Sequence, residues 1–280
     1  MGHFGYVGGN LICWSFGLCW YVDYVSYFEH ADMLVIFGIM ILGLIFQTRL
    51  HAQDDNACMQ DLSIFAEYVK VKNYTAAFEP WTRVRQSCPN INVAVYTYGE
   101  RILKHYIKNG TPEEVEASKK DLIQLYDEWV QYFPAKKNKS TVGDVLSKKA
   151  QALLDYKIED LKVVYSTFDE AFVKDAKSFT NPKHLYNYFK TLYDRYKAGD
   201  SEVSMEMLFN KYEEVSEKFE IETTELAKKL DVILKKEDEG DPLTSKEQRR
   251  KRVYNINSKA IGTFLSNLDA IIAKEATCEN

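Results

Sequence analysis

No lysine or arginine occurs before Arg49, so all 36 basic residues of this 280-residue chain lie at or beyond that position. Only three carboxylates, Asp23, Glu29 and Asp32, precede it, whereas 35 basic and 38 acidic residues follow from Asp54 onward. Two different solvents have shaped the two parts. Glycine (13) and proline (6) are scarce, which excludes a disordered or glycine-looped chain. A basic surplus is missing too. The net charge of -5 excludes a broadly basic surface that coats nucleic acid.

Catalytic signatures are also missing. The five histidines are His3, His30, His51, His105 and His184. No two are four residues apart and no His-Glu-x-x-His occurs, so the metalloprotease motif is excluded. No Gly-x-x-x-x-Gly-Lys phosphate loop and no Gly-x-Ser-x-Gly elbow is present. The five cysteines contain no Cys-x-x-Cys, and the acidic run Glu237-Asp238-Glu239 lacks the spaced oxygen ligands of a calcium loop. His105 and His184 read as surface or groove residues of helices. No catalytic residue, cofactor or metal is predicted.

What is present first is apolar. Leu34 to Phe46 is a run of 13 residues without charge, short for a span of about 20 residues. Polar residues follow, ending at Ala52-Gln53, which suits a secretory signal cleaved there. The usual basic leader is absent, but Met33 directly precedes the run. Translation from Met33 would make residues 1–32 an upstream extension and 33–53 the signal. A rival reading keeps Met1 and pairs Leu11–Val22 with the second run as a membrane hairpin or anchor. A buried soluble segment is the third. The first two place the remainder outside the cytoplasm or at a membrane, associated through residues 1–50, and none makes a channel or transporter.

Beyond Asp54 the apolar period is helical. Leu62, Phe65, Tyr68 and Val69 share one face, and Lys72-Asn73-Tyr74 breaks the run. Ala76, Ala77, Trp81 and Val84 form a second face that ends at Cys88-Pro89-Asn90. Thr111-Pro112-Glu113-Glu114 is a helix start opening a run from Pro112 to Phe133. Helices are expected over Val142–Asp155, Ile158–Lys177, from Asn181-Pro182 to Lys197, over Val203–Phe219, continuing over Glu225–Lys236, and through Thr244–Lys274. A brief Val-Ala-Val-Tyr run at Val93–Tyr96 is the one stretch with strand character. The sequence reads as an all-α chain with a helical domain over 54–236 and a long C-terminal helix over 243–280.

The first two hairpins resemble the tetratricopeptide repeat. With Pro89 as the closing proline, Phe65 and Tyr68 fall on first-helix packing positions, Ala77 on the small position of the second helix and Trp81 on its aromatic one. Gly99 restores in the second copy the small residue that Phe65 replaces in the first. Pro134 closes that copy 45 residues after Pro89, so its helices exceed the standard unit. The export-like start, Cys58-Met-Gln-Asp-Leu-Ser-Ile-Phe, Lys72-Asn-Tyr-Thr-Ala-Ala-Phe-Glu-Pro-Trp and Tyr98-Gly99 together resemble the exported, largely uncharacterised tetratricopeptide-repeat-like proteins of Bacteroidota. The resemblance covers residues 33–220 and is most specific between 58 and 135. It implies a right-handed superhelix of antiparallel hairpins, a periplasmic or envelope location, and no catalytic residues. Such proteins are often longer, which leaves open a continuation beyond Asn280 and a partner there for Cys278.

Cys58 and Cys88 begin and end the first hairpin, so an antiparallel arrangement makes them neighbours that a disulfide can join; two free buried cysteines are the alternative. Trp81 and Trp129 suit the core. Tyr96, Tyr98, Tyr106 and Tyr126 lie in the most repeat-like part and are the candidate partner contacts on a face of first helices, with Tyr74, Tyr186 and Tyr193 secondary. Arg249-Arg250-Lys251-Arg252 is a solvated helix face or a contact for an acidic partner or lipid headgroup. The function expected is a non-enzymatic envelope scaffold for a protein or peptide. The alternatives are a helical enzyme or glycan-binding module with groove carboxylates and tyrosines, and a membrane-anchored structural protein.

Overall fold

A computed structural model describes residues 56–276 with the exception of Asn138. The expected signal or anchor and Cys278 lie outside the described residues. Among those described, the chain is all-α apart from one small hairpin. The helices are α1 (56–70), α2 (Tyr74–Ser87), α3 (Ala94–Asn109), α4 (Pro112–Tyr132), α5 (Val142–Asp155), α6 (Leu161–Asp175), α7 (Pro182–Lys197), α8 (Met205–Asp238) and α9 (Ser245–Ala276). Strands β1 (Ala135–Lys136) and β2 (Lys139–Ser140) pair antiparallel between α4 and α5.

Local chemistry sets most helix starts. Asn73, Asp160, Asn181 and Ser204 each accept a bond from a backbone N–H in the first turn of the following helix, satisfying donors a helix cannot pair internally. Thr111 and Glu114 form a reciprocal capping box on α4, with Pro112 at the first helical position. α5 differs. Thr141 makes no side-chain cap, and the last residue of α6 and a residue just beyond it supply it: Gly143 N donates to Asp175 Oδ2 (3.4 Å) and Asp144 N to Ser178 Oγ (3.1 Å). A Cβ on Gly143 would lie 2.1 Å from the Asp175 carbonyl oxygen, so only glycine permits this docking.

Each helix from α2 onward packs on its successor, and α9 returns against both α7 and α8. Two apolar clusters result, one around Phe65, Trp81, Tyr96 and Tyr126, the other around Phe168, Phe179, Tyr188 and Phe219. α5 belongs to both. Val145 and Ala152 enter the first cluster, while Leu146, Ala150 and Leu153 enter the second. In α9 the buried residues Ile261, Leu268 and Glu275 recur every seven positions, the narrow seam of a helix packed along one side.

Four sequence expectations are corrected. Residues 94–96 of the strand-like run open α3, because Val95 and Tyr96 both turn into the core at helical spacing. The segments expected over Val203–Phe219 and Glu225–Lys236 are one 34-residue helix; the polar residues between them lie on its solvent side without breaking it. Tyr68 is 38% exposed and does not share the core face of Leu62, Phe65 and Val69. His184, expected at the surface or in a groove, is buried and lines a small cleft.

Candidate binding clefts

A prominent cleft among the described residues runs between α2 and α4. It encloses about 630 Å³ and is lined by Phe78, Trp81, Arg85, Asp121, Glu128 and Tyr132, among others. On α4 the charged lining residues Asp121 and Glu128 are seven apart and therefore share a face. Arg85 reaches both. Its Nε and Nη2 donate to the two Glu128 oxygens (2.7 and 3.1 Å) and Nη1 to Asp121 Oδ1 (2.6 Å). The guanidinium also lies 5.2 Å from the Trp81 ring centroid, a favourable cation–π placement. Burial acts to lower the Arg85 pKa, but its bonds to Glu128 and Asp121 outweigh it and the pKa is raised.

Asp127 also lines the cleft and accepts from Lys149 of α5 (2.6 Å). Three carboxylates thus stand with one guanidinium in the lining, and one further cation reaches in from outside. At the mouth the rings of Phe78 and Tyr132 remain more than a third exposed. The chemistry offered is anionic with aromatic edges.

The candidate tyrosines separate. Tyr96 and Tyr126 are fully buried, which corrects the expectation that they present a binding face. Tyr96 donates to the Pro89 carbonyl (2.9 Å) and stacks near Trp129, and Tyr126 packs beside the same indole. Burial raises both phenol pKa values. Tyr98 and Tyr106 are half-buried on α3, the first against Phe65 and Arg101, the second against Phe78. Of the secondary set, Tyr74 lies against His105, Tyr186 stacks on Phe264 and Tyr193 donates to Glu275. Phe65, Ala77, Trp81 and Gly99 all pack in the first core cluster or against it.

The two hairpin cysteines are neighbours. Cys58 and Cys88 stand at disulfide-bonding distance, their Cα atoms 6.3 Å apart, within the range such a bond spans. Cys88 caps α2 and Cys58 sits near the start of described α1. The cleft between α2 and α4 therefore lies on the second helices of its hairpins, not on the first-helix face expected.

Two polar clusters elsewhere carry the residue types of proton-transfer sites. Lys211 bonds to Tyr188, Glu214 and Asp169, and Tyr188 donates to Asp169. Burial, Asp169 and Tyr165 raise the Tyr188 pKa. Burial acts to lower that of Lys211, but Glu214, Tyr165 and Asp169 overcome it and the pKa is raised. Neither group is poised near neutrality, as a general acid or base would be. The cluster ties α6, α7 and α8 together. In the second, Ser147 Oγ lies 2.9 Å from His184 Nδ1, but Ser147 is wholly buried.

No protein-family model and no curated protein matches this chain. The chemistry of the clefts thus rests on their own residues. Among the described residues, no group of three histidine, cysteine or carboxylate side chains is arranged to hold a metal, and no helix is long and apolar enough to cross a membrane. The carboxylates whose pKa is shifted, such as Asp61 by its bond to Arg83, are all shifted downward.

Proposed function

We propose that this chain is a non-enzymatic, tetratricopeptide-like scaffold of the cell envelope that binds a protein or peptide in the α2–α4 cleft. The observation that carries the reading is the cleft itself: open, carboxylate-rich and edged by Phe78 and Tyr132. An extended peptide carrying lysine or arginine beside an apolar residue satisfies that chemistry, since exposed aromatic edges and an excess of carboxylates over cations are what partner side chains exploit. Tyr98 and Tyr106 on α3 remain accessible as secondary contacts.

Support for the repeat-like architecture comes from the packing of each helix on its successor and from Gly99 seated against Trp81. Support for an envelope location comes from the Cys58–Cys88 pair, since disulfides persist in oxidising compartments, together with the export-like start of the sequence.

The test is selection of a displayed random-peptide library on the full chain. The reading expects enrichment of basic peptides with an apolar neighbour, and loss of that enrichment for Phe78→Ala/Tyr132→Ala, whose exposed side chains carry little of the core. Enrichment that survives the double variant, or no enrichment, overturns the cleft as the seat of binding.

A further inference from the structure

A second cavity, of about 500 Å³, shares no residue with the α2–α4 cleft. It opens where the start of α3, the end of α4, the β hairpin and the start of α5 converge. Its floor is apolar: Val93, Trp129, Phe133 and Val145. Lys136 and Lys148 stand in its wall with a single carboxylate, Asp144. Lys148 pairs with Asp144 (2.9 Å), and its ammonium lies 4.8 Å from the Trp129 ring centroid. This size and this mixture of apolar floor and few polar groups are those of a small-molecule site.

The hairpin beside it is electrostatically incomplete. From Trp129 to Gly143 the sequence contains no carboxylate but has Lys136, Lys137 and Lys139. Lys136 and Lys139 are direct cross-strand partners, which places their side chains on one face of the ribbon, and like charges so opposed are destabilising. All three lysines are exposed, and none forms an ion pair among the described residues. Of these lysines Lys136 lines the cavity and Lys139 shares its face of the ribbon. Cations held together without a counter-charge at the edge of an apolar cavity call for an anion that carries an apolar tail.

We propose that this cavity binds a small amphipathic anion. Its carboxylate or sulfate head is held by Lys136 and Lys139 with Lys148 nearby, and its tail lies on Trp129, Phe133 and Val145. The head relieves the repulsion across the hairpin through charge-assisted hydrogen bonds, and the tail displaces water from apolar surface. The site is separate from the peptide cleft and does not depend on it.

Isothermal titration of the full chain with decanoate, kept below its micelle concentration at low salt, tests the site. Decanol and decyltrimethylammonium serve as neutral and cationic comparators of the same tail. The proposal expects saturable, one-to-one decanoate binding, at least about tenfold weaker in Lys136→Glu/Lys139→Glu and similarly weakened by Thr97→Trp, which fills the cavity from α3. The lysines are exposed, so the double variant keeps its fold, checked by its helical circular dichroism. Equal binding of all three compounds, decanoate binding unchanged by the lysine variant, or no saturable binding would each overturn the proposal.

Discussion

Gly99 of α3 lies so close to the indole of Trp81 that an added Cβ would stand 2.7 Å from Nε1. The indole cannot swing aside, because Nε1–H donates to the Val95 carbonyl (2.8 Å) one turn earlier on the same helix. The pair fixes how closely α2 and α3 approach. Gly99→Ala is therefore expected to cost about 1–3 kcal/mol through overpacking, despite alanine's better helix propensity. Gly262 provides the contrast within one molecule. It is exposed on α9 with nothing near its missing Cβ, so Gly262→Ala should be neutral or stabilise by up to about 1 kcal/mol. Urea unfolding midpoints of the two variants check both signs.

Arg85 supports the cleft in a way its surface position on α2 conceals. Its side chain is 10% exposed, while Asp121 and Glu128 retain 33% and 21%. Arg85→Met removes the cation and leaves two carboxylates facing one wall. The expected loss is about 2–4 kcal/mol, below the full penalty of breaking a buried pair because the carboxylates still reach water. Asp121→Asn in the Arg85→Met background should recover part of that loss. Additive losses in this double-mutant cycle would mean that Arg85 and Asp121 are not coupled.

The Cys58–Cys88 bond closes a loop of 30 residues in sequence. In the chain-entropy account such a loop contributes roughly 3–4 kcal/mol, held here entirely in the α1–α2 hairpin. Reduction with a thiol should lower the melting temperature by about 6–16 °C for a domain of this size. Cys58→Ser/Cys88→Ser should begin at the lower temperature and ignore the reductant. A double variant that still responds to thiol would locate the sensitive bond elsewhere.

These features differ in how far they were legible beforehand. The Cys58–Cys88 pairing, the caps at Thr111 and Asn181, and the core positions of Ala77 and Trp81 depend on local spacing or on the antiparallel rule for one hairpin, whereas the meeting of Gly99 with Trp81 joins two helices and is visible only in the fold. Tyr96 and Tyr126 were misread because a helix packed by neighbours on two sides buries a wider arc than one periodic stripe. The cleft was missed for another reason. Asp121 and Glu128 share a helical face, but Arg85 meets them across 36 and 43 residues of sequence, and no local pattern encodes that meeting. Two-residue strands such as β1 and β2 fall below any alternation signal, so no sequence pattern marks the lysine-rich hairpin.

His184 gives the fold a pH response that can be isolated. It is buried against Ser147, and burial, reinforced by Lys183, Lys148 and Lys104 and opposed by Asp155, lowers its pKa from 6.5 to about 4. Between those values the unfolded chain takes up a proton that the folded chain does not. Stability should therefore fall as pH drops from 6.5 toward 4, by up to about 1.4 kcal/mol per unit, and level off below. Asp61, Asp175, Glu225, Glu247 and Glu275, all held below their ordinary values when folded, also weaken the fold from about pH 5 downward. The difference between the native chain and a His184 variant, not the slope alone, therefore isolates the histidine. His184→Gln keeps a hydrogen-bonding side chain beside Ser147 but removes the titration. Urea unfolding between about pH 7 and pH 4.5 should show a sloping stability for the native chain and a flatter one for the variant. Parallel profiles would mean that the acid sensitivity resides in another group.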